Sequence, residues 1–294
     1  ALLAKQDVLA CAPTGSGKTI AFLVPLFGLL KTPDATAGVR ALIVSPTMEL
    51  AVQIEREAFF LMKGQRWKLV QHGQTTKNKD LMVSTPGRVV KMLRQELISL
   101  KNVQYLVFDE GDKLWDKSSA FLDEVDKIIK ACERNDKVVS VFSATLSEQV
   151  EGMARSIMTN SVTRIIVNSR KSASTNVEQK LLFVSNELGK IVAMKNLMRE
   201  GVKPPVLVFV QSIERSKELY DEINRAGMHV AMMNSKMSTE QRDDIVLKFR
   251  LGEVWFLITT ELLARGIDFK NIGTVINFDF PITSASYIHR VGRT

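Results

Sequence analysis

The chain has 294 residues, 45% of them hydrophobic and 24% charged, which excludes a disordered or collagen-like polymer and favours two domains of about 150 residues each. No apolar run approaches the roughly 20 residues of a membrane span, and no charged-then-apolar leader precedes a cleavage site. Cys11 and Cys132 are the only cysteines, too few and too far apart for a disulfide framework or a thiolate metal site, and they imply a reducing compartment.

The first predicted strand, Val8–Ala12, runs into a Gly-rich turn, then Lys18-Thr19, then an apolar helix over Ile20–Leu30. Gly15 and Gly17 let the backbone turn its N–H groups inward, and the helix N-terminus points its positive dipole at the same place. In such a phosphate-binding loop Lys18 reaches the β/γ-phosphates and Thr19 sits on Mg²⁺; a Gly/Ser turn with a surface lysine is the alternative. The strict G-x-x-x-x-G-K-[ST] pattern departs at Ala12, while the glycines nearest the phosphates are kept.

Strands and helices then alternate: Ala41–Ser45, a helix from Met48, Leu81–Ser84, a helix from Arg88, Tyr105–Phe108, a helix near Phe121–Cys132, Val138–Phe142 and a helix from Glu148. That order predicts an α/β domain with a parallel sheet, whose ligands sit at the carboxyl ends of the strands. Residues 169–176 are polar and read as a linker between a domain over 1–168 and another over 177–294. In the second domain the alternation restarts: strand Glu178–Ser185, helix Leu188–Arg199, strand Val206–Val210, helix Ile213–Ala226, strand His229–Met232, helix Glu240–Arg250, strands Val254–Ile258 and Thr274–Phe278. It carries no phosphate loop, so one nucleotide site shared by two domains is the natural reading.

The net charge of +8 divides evenly. Up to residue 168 there are 22 Lys and Arg against 18 Asp and Glu, and after it 18 against 14. No terminal tail holds the excess, and a spread positive surface suits a polyanion.

Tyr105–Asp112, YLVFDEGD, is an apolar strand ending in acids. Asp109 at that end is placed to hold Mg²⁺ and Glu110 to polarise an attacking water; a plain acidic turn is the alternative. Val141–Thr145, VFSAT, ends in two hydroxyls that either read the state of the acids or cap a helix, as Ser147 also can. SPTMELA after Val44 and STPGR after Val83 open helices whose N–H groups suit nucleic-acid phosphates, with Arg88 as a cation; ordinary helix initiation by proline is the alternative. TTELLARGID (259–268) and YIHRVGRT (287–294) gather Arg265, Asp268, His289, Arg290 and Arg293. There Asp268 suits a ribose hydroxyl, and an arginine suits charge developing on a γ-phosphate. His72 and His229 read as structural.

APTGSGKT, PTMELA, TPGR, DEGD, SAT, FVQS, TTELLARGID and YIHRVGRT, in that order, resemble the DEAD-box family of ATP-dependent RNA helicases. The resemblance implies two RecA-like α/β domains joined by a flexible linker, with ATP in the cleft and RNA crossing both. It implies that Ala12, Thr14, Gly15, Ser16, Gly17, Lys18 and Thr19 hold the triphosphate and Mg²⁺. Asp109 would hold the metal and Glu110 act as base, while Asp112, Ser143 and Thr145 couple hydrolysis to unwinding. Gly266 and Asp268 would face the nucleotide, completed by His289, Arg290 and Arg293. Pro46, Thr47, Thr85, Gly87 and Arg88 would contact RNA in the first domain, and Gln211, Gln241, Arg242 and Thr260 in the second.

Departures accompany the resemblance. Gly111 stands where the family has alanine, which predicts a softer turn. Met48 replaces an arginine, and Glu261 an aspartate. The family's Gly-Gly contact is missing from the short stretch Trp67–Leu81. The adenine-reading glutamine motif would precede Ala1 and the last arginine would follow Thr294, so the chain reads as a trimmed copy of a longer protein. Residues 176–190 and 204–220 look like the subfamily that assembles the small ribosomal subunit. That implies pre-ribosomal RNA and assembly proteins as partners, a monomer outside a larger particle, and a nuclear, nucleolar location. An ATP-dependent RNA clamp with little unwinding and a P-loop translocase on DNA stay open beside the helicase reading.

Overall fold

The computed structural model describes residues 1–32, 34, 38–63, 69–70, 80–115, 121–158, 161–167, 177–260 and 272–293. The chain divides into two compact units, Ala1–Lys171 and Ser172–Thr294.

The first unit contains strands β1 (Asp7–Cys11), β2 (Ala41–Val44), β3 (Leu69–Val70), β4 (Leu81–Ser84), β5 (Tyr105–Asp109), β6 (Val138–Ser143) and β7 (Val162–Ile166). They form one parallel sheet in the order β3-β4-β2-β5-β6-β1-β7. Its helices are α1 (Lys18–Leu30), α2 (Met48–Leu61), α3 (Pro86–Arg94), α4 (Gly111–Leu114), α5 (Leu122–Ala131) and α6 (Glu148–Ile157). Both faces of the sheet are covered, which is why its strands are continuous apolar runs instead of alternating ones. Val8, Ala10, Ile43 and Val107 pack with Phe22, Leu26, Leu50 and Ile54 of α1 and α2. Leu9, Leu42, Val44, Leu106 and Val141 face the other way, onto residues of α3, α5 and α6. A buried ion pair ties the sheet's far end: Arg40 Nη2 lies 2.6 Å from Asp80 Oδ1, which also accepts from Asp34 N.

This topology creates the crevice. β1 and β6 are neighbours, yet β1 leads into α1 on one face and β6 into α6 on the opposite face. The two connections diverge at the carboxyl edge, where parallel α/β sheets take their ligands.

The second unit holds α7 (Glu187–Glu200), β8 (Val206–Val210), α8 (Ile213–Arg225), β9 (Val230–Met233), α9 (Thr239–Arg250), β10 (Phe256–Thr260), β11 (Thr274–Asn277) and α10 (Ser284–Val291). Its parallel sheet runs β11-β8-β10-β9. Leu207, Phe209 and Leu257 pack on Val246 and Phe249 of α9. Val206, Val208 and Ile258 pack on Met194 of α7 and on Leu219 and Ile223 of α8.

The expected strand over Glu178–Ser185 does not form: the described segment from 177 to 184 joins no ladder. Leu181 and Phe183 are 85% and 95% exposed, so no buried face fixes a register. Conversely β3 and the single-turn α4 escape sequence reading because a two-residue strand and a four-residue helix are too short to show a period, and β7 because its five residues are half-buried or exposed and mark no buried face. The expected linker at 169–176 and His72 lie outside the described residues. His229 lies tilted against Trp255 with ring centres 5.2 Å apart. Among the described residues no helix is long and apolar enough to cross a membrane.

Candidate functional site

The loop between β1 and α1 is shaped by its glycines. Gly15 and Gly17 adopt φ of +76° and +88°, a left-handed backbone that costs most residues energy. A Cβ at either position would meet nothing within 4 Å, so conformation, not space, reserves both for glycine. Ala12 N donates to Ser143 O at 3.0 Å, continuing the β1–β6 ladder one residue further. Lys18 curls back so that Nζ donates to the carbonyls of Ala12 (2.7 Å) and Pro13 (3.0 Å). Burial lowers its pKa, while the carboxylates of Asp109, Glu110 and Asp112 pull the other way. Thr14 Oγ1 is buried with no hydrogen-bond partner, a polar atom waiting for one. Ser16 sits on the exposed turn between the glycines, and Thr19 follows Lys18 in the first turn of α1.

Asp109 closes β5, and its Oδ1 accepts the backbone N–H of Glu110 at 3.0 Å. Burial first, and the neighbouring Glu110 second, push the Asp109 carboxyl up to about 7. Glu110 stands at φ 50°, ψ 51°, a conformation worth about 1 kcal/mol of strain for a side chain with a Cβ. Its Oε2 is buried without a partner. Two acids with unmet electrostatic demand, across one strand from a phosphate loop, suit a hard cation and a triphosphate. Among the described residues no cluster of three His, Cys, Asp or Glu side chains builds a metal site unaided. The donor set therefore fits a magnesium ion held mainly by phosphate oxygens, with Asp109 and Thr19 as its protein neighbours.

The hydroxyls after β6 divide their work. Thr145 Oγ1 donates to Asp112 Oδ2 and Ser143 Oγ lies 2.8 Å from Asp112 Oδ1, with Asp112 N donating to the same hydroxyl. Ser147 supplies the helix cap, accepting from Val150 N. Of the two readings of SAT, a link to the acids belongs to Ser143 and Thr145, and capping to Ser147. Gly111 corrects an expectation. Its turn is not soft but filled: a Cβ there would lie 2.8 Å from Val141 Cγ1 and 3.0 Å from Trp115 Cζ3.

The residues expected to meet RNA follow adjacent strands in the first unit. β2 and β4 pair with Val44 opposite Ser84, which brings Pro46 and Thr47 beside Thr85, Gly87 and Arg88. Thr47 caps α2 by accepting from Leu50 N, whereas the Thr85 side chain makes no cap bond to α3. A Cβ on Gly87 would sit 3.1 Å from Glu124 Oε1, the end of a flexible side chain that can move aside.

In the second unit the described residues among those expected fall into three sets. Gln211 follows β8, and its backbone N–H is fixed by Asp279 Oδ2 at 2.9 Å; Thr260 ends the adjacent β10. Gln241 is engaged in a capping box with Ser238, and Arg242 Nε lies 3.5 Å from Ser238 O. Arg290 is 3% exposed and anchors α10: Nη1 donates to Asn277 Oδ1 and Asp279 O, and the guanidinium lies 4.8 Å from the Phe209 ring centre. His289 is buried beside it, and Arg293 is partly exposed just past the helix. Gly266 and Asp268, with Arg265, lie outside the described residues.

Sequence reading missed Asp279. Its carboxylate accepts from Gln211 N, Lys190 Nζ and Arg215 Nε, and those bonds outweigh burial, holding its pKa below the usual range. The available signal was the pattern used for Asp109, an apolar strand ending in an acid.

The DEAD/DEAH box helicase family model matches residues 1–153, and the helicase conserved C-terminal domain matches 189–294. The chain is 45% identical to probable ATP-dependent RNA helicase ddx52 of Dictyostelium discoideum, over all of this chain and 45% of that protein. It is 43% identical to ATP-dependent RNA helicase ROK1 of Saccharomyces cerevisiae, over 99% of this chain and 54% of that protein. It thus spans about half the length of the curated relatives it matches. Among solved structures, S. cerevisiae Dbp5 bound to RNA and ADP BeF3 superposes with a TM-score of 0.84 at 26% identity, over 98% of this chain and 75% of that one. Mss116p bound to ssRNA and AMP-PNP gives 0.83 at 26%, over 98% and 63%. With family models matched over both units, and the phosphate loop, paired acids and hydroxyl link all inside the first matched stretch, the chain belongs to the DEAD-box family of ATP-dependent RNA helicases.

Proposed function

We propose that the protein is an ATP-hydrolysing RNA helicase that separates short duplexes or remodels RNA–protein particles. The single observation that carries this reading is the hydrogen-bonded set joining Asp112 to Ser143 and Thr145, one strand from Lys18 and directly after Asp109 and Glu110. In this reading Lys18 leaves the carbonyls of Ala12 and Pro13 for the β/γ-phosphates, and Glu110 takes a proton from the attacking water at its unpartnered oxygen. Magnesium, when bound beside Asp109 and Thr19, neutralises charge on the phosphate oxygens. Arg293, just past α10, is the arginine this reading gives to charge developing on the γ-phosphate, and Arg290 anchors α10 itself. RNA is met through its backbone by the loops at Pro46, Thr47, Thr85, Gly87 and Arg88, and by Gln211 and Thr260. A state that contacts both ATP and RNA is favoured by either ligand, so each raises affinity for the other.

The likeness of residues 176–190 and 204–220 to ribosome-assembly helicases supports a finer reading. It assigns the protein to pre-ribosomal RNA and assembly factors, in the nucleolus.

The test is ATP turnover by the full-length protein with single-stranded RNA, RNA duplex or DNA duplex. Stimulation by RNA, falling with added salt because phosphate contacts dominate, together with strand separation, is expected. Stimulation by duplex DNA instead would select the translocase, and RNA-dependent ATP binding with negligible turnover would select the clamp. A second measurement tests the coupling set. Ser143→Ala with Thr145→Ala is expected to cut strand separation about tenfold more than ATP turnover, since it removes two charge-assisted bonds to Asp112 and leaves Lys18 and Glu110 in place. Equal loss of both activities rejects the coupling role.

A further inference from the structure

Gly111 and Trp115 are complementary in shape. Gly111 opens the one-turn helix α4 without a left-handed φ, so its backbone suits any residue, and only its surroundings exclude a side chain. Those surroundings are two immobile groups. Val141 Cγ1 belongs to β6, a strand paired on both sides by β5 and β1. The Trp115 indole is 1% exposed and tilted against Phe108 with ring centres 5.1 Å apart. A methyl on residue 111 would lie 2.8 Å from the first, and 3.0 and 3.3 Å from Cζ3 and Cε3 of the second. Neither is the free end of a flexible chain, so the acidic turn itself has to give.

Trp115 is tied to the acidic turn by its backbone as well as by its ring. Phe108 immediately precedes Asp109 on β5. Trp115 N closes α4 on Gly111 O at 3.1 Å, and Lys113 N closes it on Glu110 O at 2.8 Å. Trp115 O accepts from Gln149 Nε2 at 2.8 Å, reaching α6 behind Ser143 and Thr145. Glu110 sits strained one residue before Gly111, and such strain persists only where the neighbourhood over-determines it.

We propose that Trp115 is a positioning residue for the catalytic acids: its ring fills the space left at Gly111, and this matched pair fixes the aim of Glu110 and the link from Asp112 to Ser143 and Thr145. The proposal rests on the ATPase reading above and names the residue that sets its geometry. Gly111→Ala alone inserts a methyl with nowhere to go. Trp115→Phe alone withdraws ring atoms and leaves a void. Together the methyl takes the space the smaller ring has vacated.

The experiment compares wild type, Gly111→Ala, Trp115→Phe and the double variant in the full chain, by RNA-stimulated ATP turnover and by thermal midpoint. Gly111→Ala is expected to lower kcat about tenfold or more with KM for ATP nearly unchanged, because misaim at the reacting centre costs rate while the phosphate loop is untouched. The double variant is expected to recover to within about threefold of wild type and to show a midpoint above that of Gly111→Ala, since contacting residues are coupled. Should Gly111→Ala not fold, Trp115→Phe and the double variant still decide the matter, because the double must fold and outperform Trp115→Phe. A double variant no better than the worse single, or a wild-type kcat in Gly111→Ala, overturns the proposal. If wild type itself shows no RNA-stimulated turnover, the ATPase reading fails, and additive midpoints would then overturn the pairing separately.

Discussion

Lys18→Ala lowers RNA-stimulated ATP turnover by about 10²–10³-fold, the cost of removing one charged donor aimed at developing negative charge in a water-poor site. The variant keeps its fold. Among the described residues Lys18 donates only to two carbonyls of its own loop, while the strands and helices on either side are held by β1–β6 pairing and by Phe22, Leu23 and Leu26 in the core. Circular dichroism and the thermal midpoint of the ligand-free protein therefore stay close to wild type. Normal turnover in this variant would remove the phosphate loop from the mechanism. Loss of turnover with loss of fold would instead mark Lys18 as a structural clamp, and Lys18→Met, which keeps most of the apolar stem, separates the two.

Glu110→Gln moves activity and stability in opposite directions. Turnover falls about 10²–10⁴-fold because an amide cannot accept the proton from the attacking water, and the protein accumulates with ATP and RNA bound, read as slowed release of labelled RNA. The ligand-free protein becomes more stable at neutral pH. Asp109 is pushed up to about 7 by burial and then by Glu110, so the native state binds a proton there that the unfolded chain, near pH 4, has released. A carboxyl raised in this way makes stability fall as pH climbs from about 4 to 7, and the loss is complete above 7. Removing the Glu110 charge lowers the Asp109 pKa and recovers part of that loss. Thermal midpoints across pH 4–8 check it: the gap between variant and wild type is expected to open as pH rises. A gap that closes with rising pH would mean the two carboxyls do not repel in the native state. Sites that hold like charges for catalysis commonly trade stability for rate in this manner.

Both effects arise at positions legible without a fold. Lys18, Asp109 and Glu110 are named by a strand followed by glycines and a lysine, and by a strand ending in acids, because the chemistry demands those residue types at strand ends. Ser143 and Thr145 are half legible. VFSAT presents hydroxyls after a strand, but only the register of β6 between β5 and β1 shows that Thr145 turns to Asp112 while Ser147 caps α6. Asp279 carries the same strand-end signature as Asp109 and passes unnoticed because no phosphate loop stands beside it in sequence. The segment 178–185 misleads in the opposite direction, for its apolar run Leu181–Val184 promises a strand that no neighbouring ladder receives.

The residues alone determined that this protein carries two parallel α/β units, one phosphate loop, paired acids and the ordered motifs of a helicase, since these depend on local conformation and on chemical type. Only tertiary packing decided which glycines are there for their backbone and which for the space they leave. Gly15 and Gly17 bend the chain, whereas Gly111 yields room to Trp115 and Val141. The physical reason is that a dihedral preference belongs to one residue, while an excluded volume belongs to neighbours that the chain brings together from far along its length.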